Sequence, residues 1–243
     1  MNILVTGSNG FLGKSFIKFL NEETTHKVFQ FSKNNSLIEI ENIIDELDFV
    51  FHFAGINKTD EKINFEKINV NLTRKICEIM SKNKNTTLVY ASSTQIKLNN
   101  DYGKSKKKGE EVCLDLEKRF NNRIHILRLP GIYGIGCKPN YNSVVATFCF
   151  NAANKIDLNI INPNKEIELL FIDDLCKQLN KLIIKKDCIK FIELKNIHKI
   201  SIKDLGNTIK NFKNNYKTKY LFQSKQSFER NLYKTYMSFI KNK

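Results

Sequence analysis

Short apolar runs alternate with longer amphipathic segments through the first half of the chain. The apolar runs are rich in Ile, Val and Phe, which is typical of strands that are covered on both faces of a sheet. They predict strands at 3–6, 28–31, 49–53, 88–90 and 124–129. In the segments between them, apolar residues recur at three- and four-residue spacing, which predicts helices. These helices are predicted at 14–20, 69–80 and 102–120.

The order of these elements predicts the fold class. Strands that alternate with helices through short links indicate an α/β fold with a doubly wound, Rossmann-like parallel sheet. After Pro130, which halts the fifth strand, the chain is rich in loops. Its later elements are predicted as a helix at 144–154, a short strand near Ile160 and a helix at 175–184. We therefore expect a Rossmann-like part at 1–130 and a small C-terminal lobe with helices at 131–243, within one integrated domain.

The first strand runs into the glycine-rich stretch TGSNGFLGKS, whose spacing discriminates between two kinds of phosphate site. A P-loop has four residues between its first glycine and its Gly-Lys-Ser/Thr, and counting back from Gly13 that glycine falls on Ser8. The glycines instead recur every third residue, a spacing close to, but not the same as, the dinucleotide fingerprint G-x-G-x-x-G. This stretch alone leaves the type of phosphate ligand open.

The stretch DYGKSKKKGEE carries the strongest signal for chemistry. Tyr102 and Lys106 are four residues apart at the start of a predicted helix, so both project from one face. The strand that ends at Tyr90 delivers Ser93 to the same edge of the sheet. A hydroxyl, a phenol and an ammonium that converge beside a dinucleotide would form a proton relay. In such a relay we expect Lys106 to lower the pKa of Tyr102 from about 10 toward neutrality and Ser93 to hydrogen-bond a substrate oxygen.

Together these motifs resemble those of the extended short-chain dehydrogenase/reductase family, the nucleotide-sugar epimerase/dehydratase group. TGSNGFLG matches the cofactor turn of that family, FHFAG its third strand, INVNLT its Asn-Val-x-Gly-Thr segment, YGKSK its Tyr and Lys, LRLPGIYG its Arg-x-x-Asn-x-Tyr-Gly segment and FIDD its late Val-Asp-Asp segment. The resemblance implies that the glycine loop holds a dinucleotide pyrophosphate and that the catalytic residues are Ser93, Tyr102, Lys106 and Asn69. The cofactor-binding residues are expected to be Gly7, Asn9, Gly10, Phe11, Leu12, Gly13, Ser32, Lys33, Ala54, Gly55, Tyr102, Lys106, Pro130 and Ile132.

Within that family the chain looks most like the reductase domain of bifunctional capsular-polysaccharide enzymes. The likeness rests on CKPNYNSVVATFC, the short spacer from Ser93 to Tyr102 and the tail SFERNLYKTYMSF. Those enzymes use NADPH to act on a UDP-linked 2-acetamido-2,6-dideoxy-4-keto-hexose, and a cupin domain that follows the reductase domain epimerises at C3. The chain stops at Lys243, about where such a cupin would begin, so we expect a stand-alone reductase or one part of a split system with a separate cupin-type epimerase. The resemblance also implies a homodimer.

The expected substrate residues lie on two loops. The loop at 137–145 begins the second lobe, and its Asn140, Tyr141 and Asn142 offer amide and phenol groups for sugar hydroxyls and diphosphate. Packing between the lobes is the alternative role for this loop. Thr94, also expected to contact substrate, and Gln95 stand where dehydratases of the family place an Asp-Glu pair, so dehydration is disfavoured.

The end of the second strand predicts which nicotinamide cofactor is preferred. Enzymes that choose NAD usually place an acid there to bind the ribose 2′-hydroxyl. In this chain Phe31 is followed by Ser32, Lys33 and Asn34. Because a hydroxyl and an ammonium suit a 2′-phosphate, we predict that NADP(H) is the cofactor.

Charge and composition exclude several other classes. The net charge of +15 comes from lysines spread along the whole chain, so we expect no nucleic-acid partner. The 6 cysteines form no C-x-x-C pair and lack a histidine at metal-ligand spacing, so we expect buried reduced thiols and no metal. Asp173 and Asp174 are expected to cap a helix that starts at Leu175, and His52 to be a structural residue of a buried strand. Without a signal-peptide pattern or an apolar run near ~20 residues, we expect a cytoplasmic protein with no membrane partner.

These observations favour one function and leave two alternatives open. The leading hypothesis is an NADPH-dependent oxidoreductase that reduces the C4 ketone of a UDP-linked 4-keto-6-deoxy amino sugar for surface-polysaccharide synthesis. The first alternative is a nucleotide-sugar 4-epimerase, which uses the same relay with a tightly bound NAD. The second is a non-catalytic dinucleotide-binding partner of a separate enzyme.

Overall fold

The computed structural model of the chain describes residues 1–57, 65–185, 189–212 and 227–240. The strands are β1 (Asn2–Thr6), β2 (Lys27–Phe31), β3 (Phe49–His52), β4 (Thr87–Ser93), β5 (Ile124–Leu129), β6 (Gly131–Tyr133), β7 (Glu166–Phe171) and β8 (His198–Ser201). The helices are α1 (Phe11–Glu23), α2 (Leu37–Glu41), α3 (Asn71–Met80), α4 (Asp101–Phe120), α5 (Val144–Ala153), α6 (Ile172–Lys185), α7 (Ile202–Phe212) and α8 (Ser227–Met237). Short 3-10 helices form at Ile44–Glu46 and Thr94–Lys97, and a π-helical turn forms at Glu66–Val70.

The chain divides into two compact units. The first comprises Met1–Leu129 and Cys176–Leu194, and the second comprises Pro130–Leu175 and Lys195–Lys243. The predicted parts at 1–130 and 131–243 stay a prediction; in this division Pro130 falls in the second unit and the segment from Cys176 to Leu194 in the first. The physical reason lies at the edge of the sheet, where Ile126 in β5 donates its amide to Lys190 O (2.7 Å) and accepts from Ile192 N (3.0 Å).

The first unit is built on a parallel sheet in the order β2-β1-β3-β4-β5. β1 pairs with β2 on one side and with β3 on the other, with Thr6 opposite both Phe31 and His52. The chain therefore changes direction across the sheet at β1, and a crevice for a ligand is expected where the carboxyl ends of β1 and β3 diverge. The predicted Rossmann-like, doubly wound fold class is confirmed.

Both faces of this sheet are buried, as the uniformly apolar strands predict. Leu4, Val50 and Leu88 lie in a core cluster that also contains Ile76 and Met80 of α3. Phe51 follows Val50 in β3, so its side chain lies on the other face of the sheet, where it packs against Phe16 of α1 with ring centroids 4.7 Å apart. Helix α1 forms because its buried residues recur at helical spacing and Gly13 allows its first turn to lie against the loop after β1.

Helix α4 carries most of the predicted chemistry, and its ends are defined by local hydrogen bonds. Asn100 caps it by accepting from Gly103 N at 2.7 Å, and Asn121 ends it in the left-handed conformation with φ 59°. Its buried face presents Lys106, Gly109 and Glu110 toward the sheet. Gly109 lies directly against the hydroxyl of Tyr90, so a Cβ at this position would overlap that atom.

The second unit departs from the sequence prediction in two elements. The strand predicted near Ile160 is wrong, because Pro163 lies in a turn in which Lys165 N donates to Asn162 O, and the strand β7 follows that turn. β7 pairs in parallel with β6 and antiparallel with β8. The predicted capping of a helix at Leu175 is also wrong: α6 begins at Ile172, so both aspartates lie inside its first turn. Their charge there still complements the helix dipole.

Five of the cysteines are buried and form no disulfide (Cys77, Cys113, Cys137, Cys149 and Cys176), while Cys188 lies outside the described residues. Within the described parts of the chain, no helix is both long enough and apolar enough to cross a membrane. His52 is fully buried at the end of β3, and its predicted role was that of a structural residue in a buried strand.

Candidate active site

The glycine loop after β1 is shaped by contacts that no side chain would tolerate. Gly7 has φ +70°, and a Cβ on it would lie 2.7 Å from the backbone nitrogen of Ala54. A Cβ on Gly13 would overlap the carbonyl oxygen of Gly7. These contacts bring the loop, the start of α1 and the turn after β3 together at the crevice between β1 and β3.

The N-terminus of α1 presents backbone amides in this crevice. Gly10 is the N-cap residue, and no side chain of the described residues caps the helix. The amides of Phe11, Leu12 and Gly13 therefore begin a helix whose positive dipole end suits an anion such as a pyrophosphate. Asn9 is exposed on the same loop, and Ser8 N donates to Phe31 O at 3.2 Å.

A tight turn follows β2 at the residues that were predicted to bind the 2′-phosphate of the cofactor. Ser32 Oγ lies 2.9 Å from Asn35 Oδ1, to which it donates, and accepts from Asn34 N at 3.3 Å. The Lys33 side chain is exposed at this end of the strand. Sequence reasoning missed Glu39, which accepts from Ser36 N at 2.8 Å and from the amide of Asn35 at 2.8 Å. The Glu39 carboxylate is thus engaged in capping α2.

Ser93, Tyr102 and Lys106 lie at one edge of the sheet. Ser93 is the last residue of β4, and its Oγ accepts from Gln95 N at 3.2 Å. Tyr102 lies in the first turn of α4, and the Ser93 hydroxyl lies near enough to its phenol to lower the pKa of that phenol. Lys106 is 5% exposed, and its Nζ donates to Ala91 O at 2.9 Å. The structure thus brings the hydroxyl near the phenol and places the ammonium one helical turn further along α4.

The electrostatics of these groups differ from the prediction. Burial raises the pKa of Tyr102, and the hydrogen bond from Ser93 offsets this only in part. Burial lowers the pKa of Lys106 to about 8. The prediction that Lys106 pulls the Tyr102 pKa down toward neutrality is therefore wrong for the chain in this structure. The reason is that Lys106 points at Ala91 O and the ring face of Tyr90, with Nζ 5.1 Å from the ring centroid.

Asn69 lies in the π-helical turn and hydrogen-bonds to the turn after β3 and to α4. Its Oδ1 accepts from Ile56 N at 2.8 Å, and its Nδ2 donates to Ile56 O at 3.0 Å and to Ser105 Oγ at 3.0 Å. A Cβ on Gly55 would lie 3.0 Å from Asn69 Oδ1 and 3.3 Å from Lys106 Nζ. The turn after β3 is therefore held against both side chains, and a π-helical turn is a frequent feature of functional sites.

A buried carboxylate that sequence reasoning missed lies on the same face of α4, one turn beyond Lys106. Glu110 Oε1 accepts from Ser92 Oγ at 2.5 Å and from Arg128 Nε at 3.0 Å, and its Oε2 accepts from the Arg128 guanidinium at 2.7 Å. The Glu110 side chain is 5% exposed and that of Arg128 is 42% exposed. Its four-residue spacing from Lys106, and the position of Ser92 beside Ser93, are the sequence signals that could have found it.

The remaining predicted residues stay predictions. Thr94 is half-buried in the 3-10 helix that follows Ser93. Asn140, Tyr141 and Asn142 lie in the second unit, where Asn140 N donates to Thr147 Oγ1 at 2.9 Å and Tyr141 is 50% exposed. Pro130 and Ile132 also belong to the second unit, at the start of β6.

The comparisons with known proteins agree with this geometry. A family model described as the NAD dependent epimerase/dehydratase family matches residues 3–190. A UDP-2-acetamido-2,6-beta-L-arabino-hexul-4-ose reductase of Pseudomonas aeruginosa is 34% identical over 242 residues, which cover 99% of this chain and 65% of the relative. The predicted resemblance to this group, including a 4-keto sugar reductase, is confirmed.

Solved structures show the same fold. The capsular polysaccharide assembling protein CapF of Staphylococcus aureus is similar with a TM-score of 0.84 and 28% identity, over 99% of this chain and 66% of that one. The UDP-glucuronic acid 4-epimerase of Bacillus cereus, in complex with NAD, has a TM-score of 0.85 at 17% identity, over 99% and 97% of the two chains. The latter likeness concerns the fold alone. The chain spans just under two thirds of the length of the reductase and of CapF.

Proposed function

The chain belongs to the NAD dependent epimerase/dehydratase family, and from this premise we propose that it reduces the C4 ketone of a UDP-linked 4-keto-6-deoxy amino sugar with NADPH. The product would enter surface-polysaccharide synthesis. The observation that carries the proposal is the proximity of Ser93 to Tyr102, with Lys106 one turn further along α4, in the same unit as a glycine loop suited to a pyrophosphate. The 34% identity to a hexul-4-ose reductase supports the substrate class.

A nicotinamide cofactor held at this site would supply the hydride that reduces C4 of the sugar. Tyr102 holds the proton that the ketone oxygen takes up, and its raised pKa keeps that proton on the phenol at neutral pH. Ser93 orients the same oxygen through its hydroxyl. Lys106 lies close to Gly55, where its ammonium can bind the nicotinamide ribose. Thr94 and the loop with Asn140, Tyr141 and Asn142 are proposed to bind the sugar nucleotide.

NADPH rather than NADH is proposed because of the exposed ammonium at the end of β2. Lys33 is exposed there, and the nearby Glu39 carboxylate is occupied by Ser36 and Asn35. Among the residues that the structure describes, no carboxylate forms a salt bridge with Lys33, and a cation in this position favours a 2′-phosphate over a ribose hydroxyl.

Three finer expectations are part of the same proposal: a homodimer, a cytoplasmic location and a separate cupin-type epimerase as partner. The homodimer is supported by a groove of about 630 Å³ between α3 and α4. Its apolar part includes Val112 and Leu116, and its rim carries both signs of charge, which suits a second copy of the same surface. The molecular mass in solution, measured by light scattering before and after Val112→Glu, tests this point.

The experiment that tests the function follows NADPH at 340 nm with a UDP-4-keto-6-deoxy amino sugar. The proposal requires NADPH oxidation in step with appearance of the reduced sugar, which is identified by mass spectrometry. A 4-epimerase would instead interconvert UDP-hexoses with no net change in NADPH and would carry tightly bound NAD through purification. A chain that binds dinucleotide and turns over neither substrate would support the non-catalytic alternative.

A further inference from the structure

His52 is a fully buried histidine beneath the candidate site, and the proposed reaction leaves it without a role. Its Nδ1 lies 2.7 Å from Thr6 Oγ1, and its Nε2 lies 3.0 Å from Thr73 Oγ1. Burial lowers the pKa of its imidazole to about 3, so the ring is neutral at physiological pH. A neutral imidazole donates through one nitrogen and accepts through the other, so the two threonines cannot be equivalent.

The direction of each bond follows from counting protons. Thr73 Oγ1 lies 2.8 Å from Asn69 O, which can only accept, so the single hydroxyl proton of Thr73 is donated to that carbonyl. Thr73 must then accept from the ring, which places the proton of His52 on Nε2. Nδ1 is therefore the acceptor, and Thr6 Oγ1 donates to it while accepting from Ala54 N at 3.2 Å.

From Thr6 and from Thr73, on the two sides of His52, hydrogen bonds continue into the candidate active site. Through Thr6 they reach Ala54 in the turn after β3. Through Thr73 they reach Asn69, whose side chain binds both backbone groups of Ile56 and the Ser105 hydroxyl. Ser105 Oγ then donates to Tyr102 O at 2.8 Å. One connected set of bonds with defined directions thus joins β1, β3, the turn expected to bind cofactor and the first turn of α4.

We propose that His52 is a positioning residue, fixed as the Nε2–H tautomer, which holds the turn at 53–56 through Thr6 and the Tyr102 turn through Thr73, Asn69 and Ser105. A group that donates on one side and accepts on the other can serve both branches at once. His52 then fixes the positions of both the turn at 53–56 and Tyr102 relative to the sheet. As far as it concerns ketone reduction, this inference rests on the proposed function.

The test compares three threonine variants. Thr73→Val removes the hydroxyl that links His52 to Asn69 and preserves the shape of the side chain. Thr73→Ser retains the hydroxyl and serves as the rescue variant. The matched control is Thr86→Val, since Thr86 is equally buried in the same unit but donates to Leu47 O at 2.7 Å, outside this set of bonds. For each protein the NADPH dissociation constant, kcat and the free energy of unfolding are measured.

We expect Thr73→Val to lower kcat by about 10- to 100-fold, because small misplacements of reacting groups have effects of this size, and to weaken NADPH binding. Thr73→Ser should stay close to wild type, and Thr86→Val should lose stability with kinetics and binding unchanged. Equal kinetics and binding in Thr73→Val and Thr86→Val would overturn the proposal. If Thr73→Val does not fold, Ser105→Ala interrupts the opposite end, and an unchanged kcat there would overturn it as well.

A second measurement reads the tautomer directly. Nitrogen-15 NMR of histidine-labelled protein, with His52→Gln to assign the signal, should show a neutral ring with its proton on Nε2 between about pH 5 and 8. A proton on Nδ1, or a ring that titrates in this range, would overturn the proposal. If the wild type reduces no 4-keto sugar, the proposed function fails, whereas weaker NADPH binding in Thr73→Val than in Thr86→Val still supports the positioning of the cofactor turn.

Discussion

Lys106 Nζ donates to Ala91 O at 2.9 Å inside the first unit, which places an ammonium against a strand carbonyl with almost no solvent. Burial lowers the pKa of Lys106 to about 8 from its ordinary value of 10.5. Between these two pH values the unfolded chain keeps a proton that the folded chain has lost. The free energy of unfolding should therefore rise with pH in this window, by up to about 1.4 kcal/mol per pH unit.

The variant Lys106→Met isolates this effect, since it keeps the length of the side chain and removes the titrating group. The unfolding free energy of the wild type minus that of Lys106→Met should increase between about pH 8 and 10, and should be constant below about pH 7. Urea denaturation at several pH values measures this difference. A difference that stays flat across the window contradicts a buried, perturbed lysine.

Removing the phenolic proton should separate chemistry from binding. Tyr102→Phe keeps the ring that packs edge-on against Phe65, with centroids 6.0 Å apart, but cannot protonate a ketone oxygen. General acid catalysis contributes about 10²- to 10⁴-fold, so kcat should fall by that factor while the NADPH dissociation constant changes little. Single-turnover kinetics with a UDP-4-keto sugar, together with a binding titration, check both parts. Full activity in Tyr102→Phe would assign the proton to another group.

The exposed Lys33 at the end of β2 should discriminate between the two nicotinamide cofactors. A charge-assisted hydrogen bond to a 2′-phosphate is worth about 1.5–3 kcal/mol, so Lys33→Ala should weaken NADPH binding about 10- to 100-fold. NADH, which lacks that phosphate, should bind almost as before. Lys97→Ala, a lysine that is also exposed, serves as the control. Equal losses for NADPH and NADH would show that Lys33 does not read the phosphate.

The Glu110 carboxylate should stabilise the junction of α4, β4 and β5. Glu110→Gln removes a charge that accepts from Ser92 and from two nitrogens of Arg128. Because Arg128 is partly exposed, we expect a loss of about 1–3 kcal/mol in the free energy of unfolding rather than the larger penalty of an isolated buried charge. Glu111→Gln, at the exposed neighbouring position, should change it by less than about 0.5 kcal/mol. Equal stability of the two variants, by chemical denaturation, would argue against this role.

Local sequence patterns were sufficient for the fold class and for placing Ser93, Tyr102 and Lys106 at one edge of the sheet. The apolar strands and the Tyr-x-x-x-Lys spacing depend on period and on position along one helix, and both are readable without tertiary structure. The placement of Ser93 and Tyr102 at the same edge follows once the parallel sheet is assumed. These elements of the prediction therefore agree with the structure.

The errors concern quantities that depend on distant neighbours. The Tyr102 pKa was predicted from its spacing to Lys106, but the direction in which the lysine points is set by Ala91 and Tyr90 on another element. Glu110 was missed because its partners, Ser92 and Arg128, are far from it in sequence. The segment near Ile160 has strand-like composition, and the competing turn at Asn162 prevailed.

Gly109 lies in the middle of α4, although glycine has a low intrinsic helix propensity. Alanine there would raise the intrinsic helix stability by about 1 kcal/mol, yet its methyl group would collide with the Tyr90 hydroxyl, which is enclosed in the core. The close packing of α4 on the sheet thus depends on the absence of a side chain at position 109. This packing also allows Lys106 to contact Ala91. Alanine at position 109 would therefore strengthen the isolated helix but would displace it from β4, the strand that carries Ser93.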